Sequence, residues 1–260
     1  MTASNIPITN LVLGAVLLII PIMLLLETKV KLVKTVLVSV LRMIIQLAAI
    51  GIVLDYLFNW NNLIITLAWM FVMLVSATLI TMERLEYPRS FILPLIFIPF
   101  FTATLIVLPY IVLVIVNPPA SQMSRYLIPL YGMLLGNSIS SATLGIERLS
   151  SDLKNNWKAY YTYLAFGASP QEATLPYLRS AFKASLLPRI LNISTMGLVT
   201  LPGMMTGQIL GGSAPTTAIK YQILIMIAIF AAVSISVYLA MKLLIFKLFD
   251  HYGLPKLPLE

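Results

Sequence analysis

Leu201-Pro202-Gly203-Met204-Met205-Thr206-Gly207 interrupts a long apolar run, and a hydrophilic turn, Gly167-Ala168-Ser169-Pro170-Gln171-Glu172-Ala173, precedes that run. Proline has no N–H to give a helix and clashes with the preceding turn; glycine beside it removes local stiffness. Irregular backbone at membrane depth is tolerated only where it is buried in protein or lines a cavity. The 201–207 stretch therefore reads as a bend inside a membrane span, packed in a bundle or lining a route. The 167–173 turn reads as a surface offered to a soluble partner. Residues 157–212 hold both, which predicts that the chain couples one to the other.

Composition agrees with a membrane setting. Of 260 residues, 60% are hydrophobic and 10% charged, and the mean hydropathy is +0.96. A soluble domain carries roughly a quarter charged residues. Almost nothing is left over for a soluble domain, so residues 1–260 read as one transmembrane domain. The 12 glycines and 16 prolines are too few for a fibrous or disordered class. With no cysteine, disulfides, thiolate metal sites and thiol catalysis are excluded together. With one histidine, His251 in the C-terminal tail, a multi-histidine metal site or a serine–histidine triad is not expected. The formal charge of +8 needs no nucleic acid, because basic residues gather in cytoplasmic loops and face anionic lipid. The first ten residues contain no lysine or arginine, whereas a secretory signal has a basic start. The first apolar run is expected to be a retained span.

A crossing needs about 20 apolar residues. Seven stretches qualify: 8–26, 36–58, 63–82, 91–116, 126–146, 184–210 (the broken one) and 217–249. Alternate loops are basic. Lys29, Lys31 and Lys34 follow the first span, Arg84 and Arg89 the third, and Arg148, Lys154, Lys158, Arg179 and Lys183 the fifth. Lys242, Lys247 and Lys256 mark the tail, while 55–62 and 117–122 have no basic residue and 212–217 has only Lys220 at its edge. Lysine and arginine stay inside. The fold class is thus all-α and polytopic, with seven transmembrane helices, the N-terminus outside and the C-terminus cytoplasmic. No internal repeat supports an inverted-repeat secondary transporter.

The fifth loop is the one long loop, and aromatics (Trp157, Tyr160, Tyr161, Tyr163, Phe166) accompany its charges. Gly167 suits a left-handed helix end. Ser169 as N-cap, Pro170 at the first helical position and Glu172 three residues after the cap form a capping box. A short helix from Pro170 is expected, ended or kinked at Pro176. Such a turn serves equally as an ordinary connection or as a helix presented to a partner.

Arg42, with Gln46 one turn further on the same face, lies inside the second span. A charge there either has a function or snorkels to the headgroups. Asn137, Asn192, Tyr221 and Gln222 are candidates for further polar lining. Met133, Met196, Met204 and Met205 are candidate soft ligands, although methionine is also an ordinary gap-filler. Gly203, Gly207 and Gly211, and Gly132, Gly136 and Ser140, are spaced for close helix packing. No acidic residue lies mid-span, and no Gly-x-x-x-x-Gly-Lys-Ser loop is present. The chain cannot hydrolyse ATP by itself, and the identity of any metal ligand is left open.

Gly167-Ala168-Ser169-Pro170 with Leu175-Pro176 and Leu187-Pro188 is similar to the coupling segment of ABC-transporter permeases. Tyr161-Thr162-Tyr163 stands where the importer form has Glu-Ala-Ala. Four further motifs resemble the FetB-type permease family. They are Arg42-Met43-Ile44-Ile45-Gln46-Leu47 with Gly51, Pro129-Leu130-Tyr131-Gly132-Met133-Leu134-Leu135-Gly136-Asn137, Gly197 onward to Gly207, and Ala218-Ile219-Lys220-Tyr221-Gln222-Ile223. Bacterial members are described as iron-export permeases with a separate ATPase, and plant relatives are implicated in aluminium tolerance. The resemblance implies a homodimer in the cell membrane with a soluble ATPase partner that carries ATP and Mg, this chain holding no cofactor itself. It implies coupling through residues 147–183, with Gly167, Ala168, Ser169, Pro170, Glu172 and Ala173 at the contact. The candidate route comprises Arg42, Gln46, Met133, Asn137 and Met196, then Pro202, Gly203, Met204, Met205 and Gln222. A secondary transporter or channel without an ATPase, and a non-transporting scaffold subunit, are the alternatives.

Overall fold

The computed structural model describes residues 7–85, 87–250 and 253–254. His251 and Lys256 lie outside the described residues. The regular structure among them is helical. A first apolar arm is built from α1 (Ile8–Ala15), a tight 3-10 turn (Val16–Leu18) and α2 (Ile19–Glu27), and α3 (Val33–Trp60) returns from it. Then come α4 (Leu63–Met82), α5 (Arg89–Pro109) running into a π-helical end (Tyr110–Val116), and α6 (Met123–Asn155). The chain closes with α7 (Trp157–Ala165), α8 (Pro170–Thr195), α9 (Gly203–Leu210) and α10 (Pro215–Leu248).

By length and composition, Thr9–Glu27, Val33–Trp60, Leu63–Met82, Arg89–Val116 and Pro215–Leu248 can cross a bilayer, five helices among the described residues. The expected fifth and sixth spans exist as helices, within α6 and α8–α9, but fall short of that apolarity. The reason is in their side chains: Asn137, Ser138, Ser140 and Ser141 on α6, and Lys183, Arg189 and Asn192 on α8. These are the polar residues a bundle interior can satisfy and a lipid face cannot.

α10 is the central post and packs against α5, α6, α8 and α9. Ala228, Ala232, Ser236 and Ala240 recur every fourth residue on it, and all are buried. Small side chains at this spacing let neighbouring backbones approach, which dispersion rewards in a membrane where hydrophobic exclusion does not act. The closest approach falls at Gly145 of α6, where an added Cβ would meet Met241 Cε, Val237 Cγ1 and Ser185 Cβ. By contrast a Cβ at Gly136, Gly203 or Gly207 would meet nothing within 4 Å. The expected close packing at those three glycines is absent within this chain.

Two expectations about α8 and its end are corrected. Pro176 does not stop the helix, which runs unbroken for 26 residues through Pro176 and Pro188. Both prolines lie on its exposed side, so the carbonyls they leave unpaired stay accessible, while Ala173, Leu178, Ala181 and Ser185 are buried on the other side. Packing along α6 outweighs the one hydrogen bond that each proline removes. The break in the sixth span also lies earlier than 201–207. It covers 196–202, because Pro202 serves as the N-cap of α9 and Gly203 begins that helix. Gly197, at φ +88°, turns this loop, and its N–H donates to Thr200 O at 3.0 Å while Val199 N–H donates to Thr195 O at 3.0 Å. The irregular segment thus meets part of its own hydrogen-bonding demand.

The bundle has two chemically distinct ends. At one, Asn61 closes α3 in the left-handed conformation (φ 41°), donates from Nδ2 to Ala120 O at 2.7 Å and accepts from Ser124 N–H. At the other, the Tyr87 hydroxyl pairs with Ser150 Oγ at 2.7 Å, and Lys247 Nζ donates to Phe91 O at 2.8 Å above the Phe91 ring. Arg84, Arg89, Arg148, Lys154 and Lys247 lie at or within a few residues of these last contacts, so the second end is the basic one.

Candidate functional site

Two features stand out, a preformed turn at the basic end and a polar cavity inside the bundle, and α8 belongs to both. The turn is made by purely local chemistry. Gly167 (φ +89°) donates its N–H to Leu164 O at 2.9 Å, and Ala168 donates to Tyr163 O at 3.0 Å. This is the Schellman closure of α7, and it requires a residue that tolerates positive φ. Two residues later the expected capping box opens α8: Glu172 N–H donates to Ser169 Oγ at 3.3 Å, and Ser169 N–H donates to Glu172 Oε2 at 2.8 Å. The Ser169 hydroxyl also donates to Glu172 Oε2 at 2.8 Å. Hydrogen bonds from the Ser169 backbone first, and its hydroxyl second, hold the Glu172 carboxyl below its ordinary range.

The turn is braced from behind. Tyr160 is 1% exposed, stacks on Phe249 with ring centroids 4.9 Å apart, and donates its hydroxyl to Gly253 O at 2.8 Å. Gly253 (φ +77°) fits because a Cβ there would press on Pro170 Cγ and the Tyr160 hydroxyl, each at 3.0 Å. Burial chiefly, with Tyr161 and Asp250 nearby, pushes the Tyr160 hydroxyl up to about 12. In front, Phe166 is 87% exposed, with Trp157 and Tyr163 about half exposed. Glu172 faces solvent with them, whereas Ala173 is buried.

The cavity has a volume of about 420 Å³ and lies among α6, α8, the 196–202 loop, α9 and α10. Its thioethers come from Met133, Met196, Met204 and Met226, and its amides from Asn137, Asn192 and Gln222. The charged lining residue is Arg189. Its Nη1 donates to Asn137 Oδ1 at 2.6 Å, its Nη2 to Ser140 Oγ at 2.8 Å and its Nε to Ser141 Oγ at 3.3 Å. Gln222 is 6% exposed; its Nε2 reaches Met196 Sδ at 3.9 Å, and its Oε1 has no partner. Among the described residues, no three of His, Cys, Asp and Glu gather as a metal site would require.

Six residues expected along a route therefore meet here: Met133, Asn137, Met196, Pro202, Met204 and Gln222. Gly203 and Met205 adjoin this set in α9 but do not line it, and Tyr221 packs on Tyr126 instead. Arg42 and Gln46 are exposed on α3, apart from the cavity. Sequence reasoning did not single out Arg189. The available signal was an arginine inside the expected sixth span, facing a polar Asn137/Ser140/Ser141 side of α6 spaced at three and four residues. A larger cavity of about 690 Å³ lies against α4, α5 and α6, but its lining is mainly apolar. Its Ser124 and Thr104 hydroxyls are already paired, with Thr66 and with Phe100 O.

Known proteins place the chain. The family model described as "Uncharacterised protein family (UPF0014)" matches residues 8–249. A UPF0014 membrane protein of Synechocystis is 38% identical over 72% of this chain and 73% of its own length. The protein ALUMINUM SENSITIVE 3 of Arabidopsis thaliana is 36% identical over 76% of this chain and 71% of its own length. The "Probable iron export permease protein FetB" of Escherichia coli is 31% identical over 96% of this chain and 95% of its own. No solved structure matches the chain. A helical bundle with several apolar spans, matched by the family model over residues 8–249 and by the Escherichia coli relative over 96% of the chain, makes this a multi-pass protein of the cell membrane that belongs to the UPF0014 family.

Proposed function

We propose that this chain is the permease subunit of an ABC exporter, carrying metal, iron first among the candidates, out of the cytoplasm. A separate ATPase subunit supplies hydrolysis of ATP with Mg. In this reading the chain crosses the membrane seven times, α6 and the α8–α9 pair serving as the fifth and sixth crossings. The basic end is cytoplasmic and the N-terminus outside, and two copies pair as a homodimer. The iron assignment leans on the name given to the Escherichia coli relative.

One observation carries the proposal: a rigid, exposed turn at the basic end with Phe166 87% exposed at its tip. An aromatic held in solvent on a preorganised scaffold suits a partner's pocket, since buried aromatic anchors dominate interfaces and preorganisation lowers the ordering cost. From this turn α8 leads as one helix to Arg189 and Asn192 at the cavity. Closure of the ATPase pair would push 167–173, and α8 would carry the displacement to the cavity wall and to the 196–202 loop. Access to the cavity would then alternate between the two sides.

The test is ATPase activity of a co-purified ATPase in liposomes, with and without this chain, across Fe(II), Cu(I), Zn(II) and Al(III). The proposal expects stable co-purification and stimulation that depends on this chain. If no ATPase binds, or if the chain alone moves cargo in liposomes, the ABC reading falls and a secondary transporter or channel replaces it.

A further inference from the structure

The cavity is furnished for the opposite charge from the one a metal transporter leads one to expect. Arg189 lines it, and none of its lining residues is an aspartate or glutamate. All three acceptors of the guanidinium, Asn137 Oδ1, Ser140 Oγ and Ser141 Oγ, are neutral. A guanidinium has five N–H donors in a fixed fork. Three are engaged, so two remain, one on each Nη. A cation held by neutral dipoles alone within a membrane protein is costly, and an anion brought to it relieves that cost. At the α10 wall, the buried Gln222 presents an unpartnered Oε1, an acceptor that calls for a donor on the same ligand. The volume of about 420 Å³ falls within the size range of small-molecule sites, and the methionines supply adaptable, polarisable walls.

We propose that this cavity binds an oxyanion that also carries a hydrogen-bond donor, such as a hydroxycarboxylate, and that metal enters it only as an anionic complex of such a ligand. Arg189 takes the carboxylate or phosphate through its free Nη donors, and Gln222 Oε1 accepts from the ligand's hydroxyl. A bare divalent cation would meet a positive charge with no carboxylate to offset it. The inference deepens the permease reading and rests on it for transport of the bound ligand, but the binding site stands on the cavity alone.

The experiment uses the full chain in phosphatidylcholine nanodiscs without any ATPase, and measures binding of citrate, ferric citrate, inorganic phosphate and Fe(II) alone. Citrate or ferric citrate is expected to bind and Fe(II) alone is not; the comparison of the two citrate arms shows whether metal is part of the ligand. Competition by added phosphatidylglycerol reports whether a headgroup phosphate occupies the same donors. Arg189→Gln should weaken citrate binding at least tenfold, with Arg189→Lys in between. Because Arg189 also ties α6 to α8, Asn137→Asp is the deciding variant. It gives the guanidinium a carboxylate, so a purely structural clamp would be kept or strengthened and binding left alone. The proposal instead expects thermal stability to hold while citrate affinity falls at least tenfold. Binding of Fe(II) alone, citrate binding unchanged in Asn137→Asp, or no binding of any oxyanion probe would each overturn it. An ATPase stimulated by this chain in the face of those results would leave the permease reading standing and remove only this inference.

Discussion

Replacing Tyr160 separates what the brace contributes from what the turn contributes by itself. Tyr160→Phe removes one hydroxyl and leaves Gly253 O without its donor, while the ring can keep its stack on Phe249. A lost intramolecular hydrogen bond costs about 0.5–1.5 kcal/mol, and a buried partner left unsatisfied raises this to about 1–3 kcal/mol. About 1.4 kcal/mol is tenfold in an equilibrium constant, so the opening of the Gly253 contact away from the turn should become about fivefold to about a hundredfold more frequent. Tyr160→Ala removes in addition a ring that is 1% exposed, and large aromatic truncations in packed sites cost about 3–5 kcal/mol. Local hydrogen exchange of the amides from 160 to 173 reads both variants. The expected order is slow in the parent, moderately faster in Tyr160→Phe, and close to unprotected at the turn in Tyr160→Ala. ATPase affinity should follow the same order, because a loosened turn has to be ordered again on docking. Equal exchange in all three proteins would refute the reasoning, since the tail would then contribute nothing to the turn. Faster exchange with unchanged ATPase affinity would show that the brace serves the fold and not the docking.

Two further outcomes follow from local geometry. Gly145→Leu forces a side chain into contact with Met241, Val237 and Ser185, and overpacking of this kind costs about 1–3 kcal/mol, so the detergent-solubilised protein should melt earlier while Gly136→Leu, which meets open space, should not. The capping box has a defined pH dependence. The Glu172 carboxyl titrates below its ordinary range, so its contribution is complete above the unfolded glutamate pKa of about 4.3 and is lost as pH falls through the lower folded value. Exchange at the first turn of α8 should therefore accelerate only in acid below that point, and Glu172→Gln should flatten the profile.

What could be read from the residues was the chemistry that acts over a few positions. The Gly167 closure, the Ser169–Glu172 box and the proline–glycine break are decided by neighbours two to five residues apart, and the structure bears out the first two residue by residue. The break was displaced because its limits depend on which residue caps the following helix, and Pro202 takes that place. Features set by tertiary contact were not legible. Pro176 looked like a terminator because nothing local announces that α6 covers the opposite side of α8. Arg189 finds its partners about fifty positions away, on α6. The packing of Gly145 depends on residues of α8 and α10, and no spacing within α6 distinguishes it from Gly136. Arg42 was conspicuous for the reverse reason: charge inside an apolar run is visible in any sequence, whereas the face it occupies is a property of the bundle.

The continuity of α8 turns one of these corrections into a mechanical claim. A short helix ended at Pro176 would have left the docking turn flexibly joined to the membrane part. The observed helix instead sets Pro170 and Arg189 on one rod, about 28 Å apart at 1.5 Å per residue. A push at the turn is then a displacement of the guanidinium that lines the cavity, and no break in the helix intervenes to absorb it. Arg179→Gly with Ser180→Gly tests this, because both residues are exposed and make none of the buried contacts of α8. Glycine in a helix interior costs roughly 0.5–1 kcal/mol relative to alanine, which softens the rod without removing the fold. The expected protein still binds the ATPase, since 167–173 is untouched, and still binds ligand, since Arg189 keeps its partners. What it should lose is the link between them: basal ATP hydrolysis persists, ligand stimulation drops, and transport per ATP falls several-fold. Transport at the parent's efficiency in the double glycine variant would mean that the signal reaches the cavity by another path, and α10, which packs against α8 and α9 together, would be the element to examine.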